Sequence, residues 1–300
     1  MSIKSKIKSI LPIKVWTFIR STWFATLKFL ESLGPRERTY KYLGINILYN
    51  RGNSLIKRLK TEQVFEEEMC KKITKDLLKN SKPILVDIGA NIGLISAYIL
   101  GKVPNVKIYA FEPGPRQAEL LEFTIKNNLL SEKLFLNKVA LSNIVGRQKF
   151  FTNTDCDQAK DGLVDTGRGE KKEPIEVTVT TLDKWWFDNG KPKIDVLKID
   201  TEGSELLVLE GAKKILEEVK PVIYFEMEPS NLKVYPYSSL DIINFMQREG
   251  YNIETITGNK VTATNLEFSL SEADTFVAIP FLKSITPRQS RRGMNGGMTT

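Results

Sequence analysis

The chain has 300 residues, of which 41% are hydrophobic and 27% charged, enough for one large domain with extensions at its ends. It contains two cysteines and no histidine, which excludes a disulfide framework, a tetrathiolate zinc site, a Ser-His-Asp triad and any histidine base or metal ligand. Proton transfer therefore falls to carboxylate, lysine, tyrosine, cysteine, bound metal or water, and a reducing compartment such as the cytoplasm fits best.

The formal charge of +8 sits mainly at the ends: residues 1–40 carry eight Lys/Arg against two Glu, and Arg288, Arg291 and Arg292 follow in the tail. Ile3, Ile7, Ile10, Leu11, Val15, Phe18, Ile19, Trp23, Phe24, Leu27 and Leu30 recur at helical spacing with lysines between them, and Pro12 breaks the run. We take residues 1–38 as a basic amphipathic segment. It either lies at a membrane surface through residues 1–36 or packs on the chain's own domain or a partner. No apolar stretch reaches the roughly 20 residues of a membrane span, and the basic residues and Trp16 argue against a signal peptide.

Residues 40–60 read as a hairpin turning at Asn50-Arg51-Gly52-Asn53, followed by a helix from about Glu62 to Leu78. Strands and helices then alternate. Strands are expected at Pro83–Ile88, Lys107–Phe111 and Leu134–Leu141, with helices at Leu94–Leu100 and Arg116–Asn127. A β-excursion follows at Arg147–Thr152 and Ile175–Thr180, enclosing a polar loop or lid from Asn153 to Glu173. Ile194–Ile199 and Val222–Met227 are further strands, Glu205–Glu217 and Leu240–Arg248 helices, and Tyr251–Thr257 with Thr275–Pro280 a closing hairpin. The order predicts an α/β fold with a seven-stranded, mostly parallel, Rossmann-like sheet and an antiparallel last strand over residues 39–282. Residues 283–300 read as a disordered tail.

The first strand runs into Asp87-Ile88-Gly89-Ala90-Asn91-Ile92-Gly93 and then an apolar helix. Such a turn brings a ligand close to the backbone and the free N–H groups of the helix start. Nineteen residues after Gly93, the second strand ends in Glu112-Pro113, where a carboxylate reaches a ribose diol. Asn91 stands where a dinucleotide motif needs its second glycine. Asp87 is tolerable beside a phosphate but attractive beside the ammonium and sulfonium of S-adenosylmethionine; the bland reading is that Asp87 caps the next helix. Across the strand ends stand Lys198, Asp200, Glu202 and Glu226. Methyl transfer to a hydroxyl needs alignment and a base. Without histidine, Asp200, Glu202 and Glu226 are the candidates, acting directly or by holding Mg²⁺, although nothing in the pattern singles out a metal site. Lys198 stabilises a developing alkoxide or simply neutralises Asp200; Glu202 and Ser204 equally serve as caps.

VDIGANIG, AFEPGP, the segment from VALSN to GRQKFF, VTTLD and above all DVLKIDTEGSELLVLEGA resemble the FkbM family of S-adenosylmethionine-dependent methyltransferases over roughly residues 40–260. The resemblance implies a class I methyltransferase fold and O-methylation of a sugar, glycan or natural product. By position it also implies that Asp87, Gly89, Ala90, Asn91 and Gly93 form the cofactor loop. Glu112, with Pro113, would bind the ribose, Asn137 to Ala140 would lie near the adenine, and Asp200 and Glu202 would face the reaction centre. The acceptor is then a small molecule or glycan, and no nucleic-acid partner is expected. N-methylation of an amine or protein side chain draws on the same carboxylates. A basic nucleic-acid or membrane module and an NAD-dependent oxidoreductase are the readings from other classes.

Overall fold

The computed structural model describes residues 36–153, 160–167 and 172–281. The amphipathic segment up to residue 35, the tail from 283 and parts of the polar loop lie outside the described residues. Among the described residues no helix is long and apolar enough to cross a membrane.

Strands β1 (Glu37–Tyr42) and β2 (Ile45–Asn50) pair as an antiparallel hairpin. Its turn is Leu43-Gly44, both at positive φ (48° and 89°), as a two-residue hairpin loop requires. The turn expected at Asn50–Asn53 instead opens a helix. Asn53 caps α1 (Ser54–Glu62), its side chain accepting the Ile56 N–H at 3.0 Å. The single helix expected from Glu62 to Leu78 is also corrected: α1 stops at Glu62 and α2 (Glu67–Leu77) follows. Gln63 and Glu66 adopt left-handed φ of 67° and 52° and break the path between them.

Strands β3 (Ile84–Ile88), β4 (Lys107–Phe111) and β5 (Leu134–Asn137) begin the central sheet as parallel neighbours. The third strand was expected to continue to Leu141, but the chain leaves the sheet after Asn137. Strands β6 (Ala140–Leu141), β7 (Gly146–Asn153) and β8 (Lys172–Thr180) form a separate sheet in the order β6-β8-β7. Residues 160–167 of the expected lid are tied to it, since Gly162 exchanges backbone hydrogen bonds with Phe151 at 2.8 and 3.2 Å. Strands β9 (Val196–Ile199), β10 (Val222–Glu226), β11 (Tyr251–Thr255), β12 (Lys260–Val261) and β13 (Thr275–Pro280) return to the central sheet. Its order is β12-β11-β13-β10-β9-β3-β4-β5, with β13 antiparallel to both neighbours. The expected seven strands are present; the two-residue β12 makes an eighth at the edge.

Helices α3 (Leu94–Lys102) and α4 (Pro115–Asn127) pack on one face with the hairpin, α1 and α2, around Leu85, Ile108 and Val196. On the other face Val86, Ile88, Leu197 and Ile199 meet α5 (Leu182–Asp188), α6 (Glu205–Glu210), α7 (Lys213–Glu218) and α9 (Ser239–Arg248); α8 (Pro229–Leu232) precedes α9. Each fully buried Leu or Ile stabilises by roughly 1.5–3 kcal/mol. The helix expected over Glu205–Glu217 is split at Gly211, where a Cβ would meet the Ser142 carbonyl oxygen at 2.2 Å. A last helix, α10 (Leu266–Glu272), separates the two closing strands. Strand order reverses between β3 and β9, and their carboxyl ends open the crevice where such sheets bind ligands.

Candidate active site

A cavity of about 850 Å³, counted to its open mouth, occupies this crevice. Gly89 makes it narrow at the base. Its φ is +73°, and a Cβ there would sit 1.8 Å from the Asp200 carbonyl oxygen, so only glycine lets the β3 loop lie against the end of β9. The five N–H groups from Gly89 to Gly93 are all engaged within the protein. Gly89 and Ala90 donate to the Phe111 carbonyl (3.0 and 3.1 Å) and Gly93 to that of Ala90 (2.9 Å). Asn91 donates to Glu112 Oε2 and Ile92 to Asn91 Oδ1, both at 2.8 Å. The amides of the loop itself are therefore spent, and those of the helix start at Leu94–Ser96 lie beyond it.

Glu112 is 5% exposed. Its second oxygen, Oε1, accepts the Gly114 N–H at 2.8 Å, and each oxygen keeps a further lone pair. Burial pushes its carboxyl up to about 7; the two backbone N–H bonds oppose that shift and the Asp161 charge adds to it. Beside it Pro113, Val139, Ala140 and Leu141 line an apolar slot, with Phe150 and Leu163 contributed by the β-excursion. Asp161 reaches the same wall, accepting Gln117 Nε2 at 2.8 Å and the Asn153 N–H at 2.9 Å.

Beneath the loop lies a buried charge centre. The Lys198 ammonium donates to the Gly89 carbonyl at 2.9 Å and stands 3.4 Å from Asp87 Oδ1 and 3.5 Å from Asp200 Oδ2. Burial works to lower its pKa, but the charges of Asp200 and Asp87 more than offset this and raise it. Lys198 therefore stays charged and is no base.

At the far end, the turn after β9 is organised by Glu205, which is 1% exposed. It accepts Thr201 N–H (2.9 Å), Thr201 Oγ1–H (3.0 Å) and Gly203 N–H (3.2 Å). This turn places Glu202 at a φ of 56°. Asn231 of α8 donates to Glu202 Oε2 at 3.0 Å and to Glu226 Oε2 at 3.5 Å. Carboxylate oxygens of Asp200, Glu202 and Glu226 lie within 4.8 Å of one another. Burial, then the charges of Asp200 and Glu202, push Glu226 up to about 10, so it holds its proton at neutral pH. Oxygen-only sets of this kind suit Mg²⁺, but the Asn231 amide N–H aimed at two of the carboxylates competes with a cation.

A phosphate-free nucleoside beside Glu112 draws on none of the N–H groups of residues 89–93. The sequence pattern of the Methyltransferase FkbM domain matches residues 87–253. The chain belongs to the FkbM methyltransferase family. It is 29% identical over 180 residues to the methyltransferase sdnD of Sordaria araneosa, covering 51% of this chain and 70% of that protein. Its identity to the 2-O-methyltransferase NoeI of Sinorhizobium fredii (strain NBRC 101917 / NGR234) is 29% over 168 residues, 52% of this chain and 68% of that one. The crystal structure of methyltransferase FkbM from Methylobacillus flagellatus KT superposes with a TM-score of 0.43 at 17% identity, over 66% of this chain and 43% of that chain.

In this S-adenosylmethionine-dependent methyltransferase, Gly89, Ala90, Asn91, Glu112, Pro113, Ala140, Lys198, Asp200 and Glu202 all line the cavity. Four predicted residues do not. Asp87 is fully buried, its Oδ2 accepting Ser96 Oγ–H at 2.6 Å. It faces Lys198, its partner in the β3–β9 register, at 3.4 Å. Gly93 starts α3 at a φ of +84° and packs on Leu121. Asn137 holds β5, accepting Trp185 Nε1–H at 3.2 Å and donating to Ala110 and Phe135 carbonyls at 3.3 Å. Glu226 stands behind Glu202 as part of the carboxylate group. The residues missed include Gln117 and Asp161, and Leu55 and Phe65 of α1 and the α1–α2 turn. Phe65 sits between Val64 and three glutamates, without a periodic pattern that would have flagged it.

Proposed function

We propose that the methyltransferase transfers a methyl group to a hydroxyl of a carbohydrate or related small metabolite. The observation that carries this is the Asp200–Glu202–Glu226 group at the cavity's β9–β10 end, in a chain without histidine. The similarity to NoeI, a 2-O-methyltransferase, supports the same reading. The residues present suit S-adenosylmethionine. Glu112 has lone pairs for a ribose diol, the slot at Val139–Leu141 takes a flat base, and the cavity end is acidic where the cofactor is cationic. Gly89, Ala90, Asn91, Glu112, Pro113 and Ala140 would hold it. It supplies an electrophilic methyl group on sulfonium.

The chain's own residues then divide the remaining work. Asp200, whose side chain is 44% exposed at the cavity, takes the acceptor's hydroxyl proton. Glu202 accepts a hydrogen bond from a neighbouring hydroxyl, and protonated Glu226 donates one toward that group. Lys198 holds the loop through the Gly89 carbonyl and sets its ammonium 3.5 Å from Asp200 Oδ2. A methyl-labelled cofactor offered to panels of pyranosides and amines tests the reading. Label should appear on a hydroxyl oxygen, and D200N should lose roughly 10²–10⁴-fold in rate, the usual contribution of a positioned base. Label on nitrogen, or an unaffected D200N, would refute it.

A further inference from the structure

We propose that Phe65 is the platform on which the acceptor's ring rests, so that the α1–α2 turn sets acceptor specificity. The inference depends on the carbohydrate reading above and extends it to a part of the chain outside the family match at 87–253. Phe65 lines the cavity together with Leu55, and the backbone that delivers it is strained and pinned. Gln63 and Glu66 on either side take left-handed φ of 67° and 52°, a conformation costing roughly 1–2 kcal/mol per non-glycine residue and kept where the surroundings demand it.

Arg58 supplies much of that demand. It pairs with Glu62 and Glu66, both at 2.7 Å, and its guanidinium lies 4.9 Å from the centroid of the Phe65 ring. Tyr42 Oη accepts the Phe65 N–H at 3.4 Å, and Cys70 Sγ–H donates to the Phe65 carbonyl at 3.3 Å. Phe65 shares the lining of the cavity with Asp200 and Glu202. Glu112 and the apolar slot lie on the other side of the glycine loop.

A cavity lined by an aromatic ring and by carboxylates has a defined chemical complement. A wholly apolar acceptor would cover the half-exposed Asp200 carboxylate with hydrocarbon, at a desolvation cost. A compact polar acceptor would make no use of the ring. A pyranose offers an apolar C–H face and a rim of hydroxyl donors, so it satisfies both.

Saturation-transfer NMR on the full chain loaded with S-adenosylhomocysteine, using methyl α-D-mannopyranoside and methyl α-L-fucopyranoside as probes, tests this beside calorimetry of S-adenosylhomocysteine. Saturation should concentrate on one C–H face of the sugar. F65A should weaken sugar binding about tenfold or more, F65W should retain it, R58A should weaken it less, and all three should bind S-adenosylhomocysteine within about twofold of the parent. A sugar signal that survives F65A overturns the inference, as does F65A weakening S-adenosylhomocysteine while leaving the sugar untouched. The wild type binding neither sugar while labelling a non-carbohydrate hydroxyl would also overturn it, and would leave O-methylation standing. Label on an amine with sugar still held through Phe65 would support the platform and refute the O-methylation reading.

Discussion

Cofactor affinity should rise with pH through neutrality, and Glu112 is the reason. Its carboxyl is buried, accepts two backbone N–H groups, and titrates at about 7 instead of near 4.5. A ribose diol donates hydrogen bonds, so the ionised form binds it better. With a pKa of about 7, about one site in eleven is ionised at pH 6 and about ten in eleven at pH 8. Affinity for S-adenosylhomocysteine, the demethylated product, should therefore be about tenfold lower at pH 6, or about 1.4 kcal/mol. The sign follows from a raised pKa: the unliganded protein holds a proton that must leave when ligand binds, and that cost vanishes above pH 7. Calorimetry in buffers of different ionisation enthalpy should count close to one proton released at pH 6. E112Q should bind roughly 10–100-fold more weakly, from loss of hydrogen bonds to a charged acceptor, and its affinity should be flat with pH. A wild-type affinity unchanged between pH 6 and 8, or an E112Q that keeps the tenfold fall, would refute the reasoning.

Four further outcomes are expected. G89A forces a left-handed alanine against the Asp200 carbonyl, and should lower both Tm and S-adenosylhomocysteine affinity, the latter at least tenfold; parent-like binding would contradict the close approach. K198M leaves Asp87 buried without its counter-charge and should cost about 3–5 kcal/mol in urea denaturation; a loss under about 1 kcal/mol would show the pair is not what holds the loop. Glu226, raised to about 10, keeps in the folded chain a proton that the unfolded chain releases above about 4.5, so its contribution to stability is lost as pH rises toward 10. Between pH 7 and pH 9 the wild-type urea midpoint should fall more steeply than that of E226Q, and equal slopes would exclude the shift. Chelation followed by added Mg²⁺ should leave turnover unchanged, whereas activation by Mg²⁺ would reassign the three carboxylates to a metal.

Two kinds of information separate cleanly at the site. Glu112 was legible because a strand end has one side chain in reach of the neighbouring loop and the spacing from Gly93 is local. Asp87 looked equally clear, and its direction was not. It points at Lys198 because β3 and β9 are adjacent, with these two residues opposite each other in the parallel register, a pairing between segments over a hundred residues apart. Asn137 turns to Trp185 on α5 by a pairing of the same long range. The helix break at Gln63–Glu66 had no glycine or proline to announce it; tertiary contacts through Arg58 and Tyr42 hold it open.

By itself the sequence determined the alternation of strands and helices, the glycine loop, the acidic strand ends and the exclusion of histidine chemistry. Each of these is written in residue types or within a few neighbours, where propensity and sterics act. Only the tertiary structure decided which carboxylates face the cavity, that the loop's N–H groups are already spent, and that Phe65 and Asp161 reach the site. Those depend on register and on which segments share a wall, and burial and pairing at that range are set by the whole packed chain.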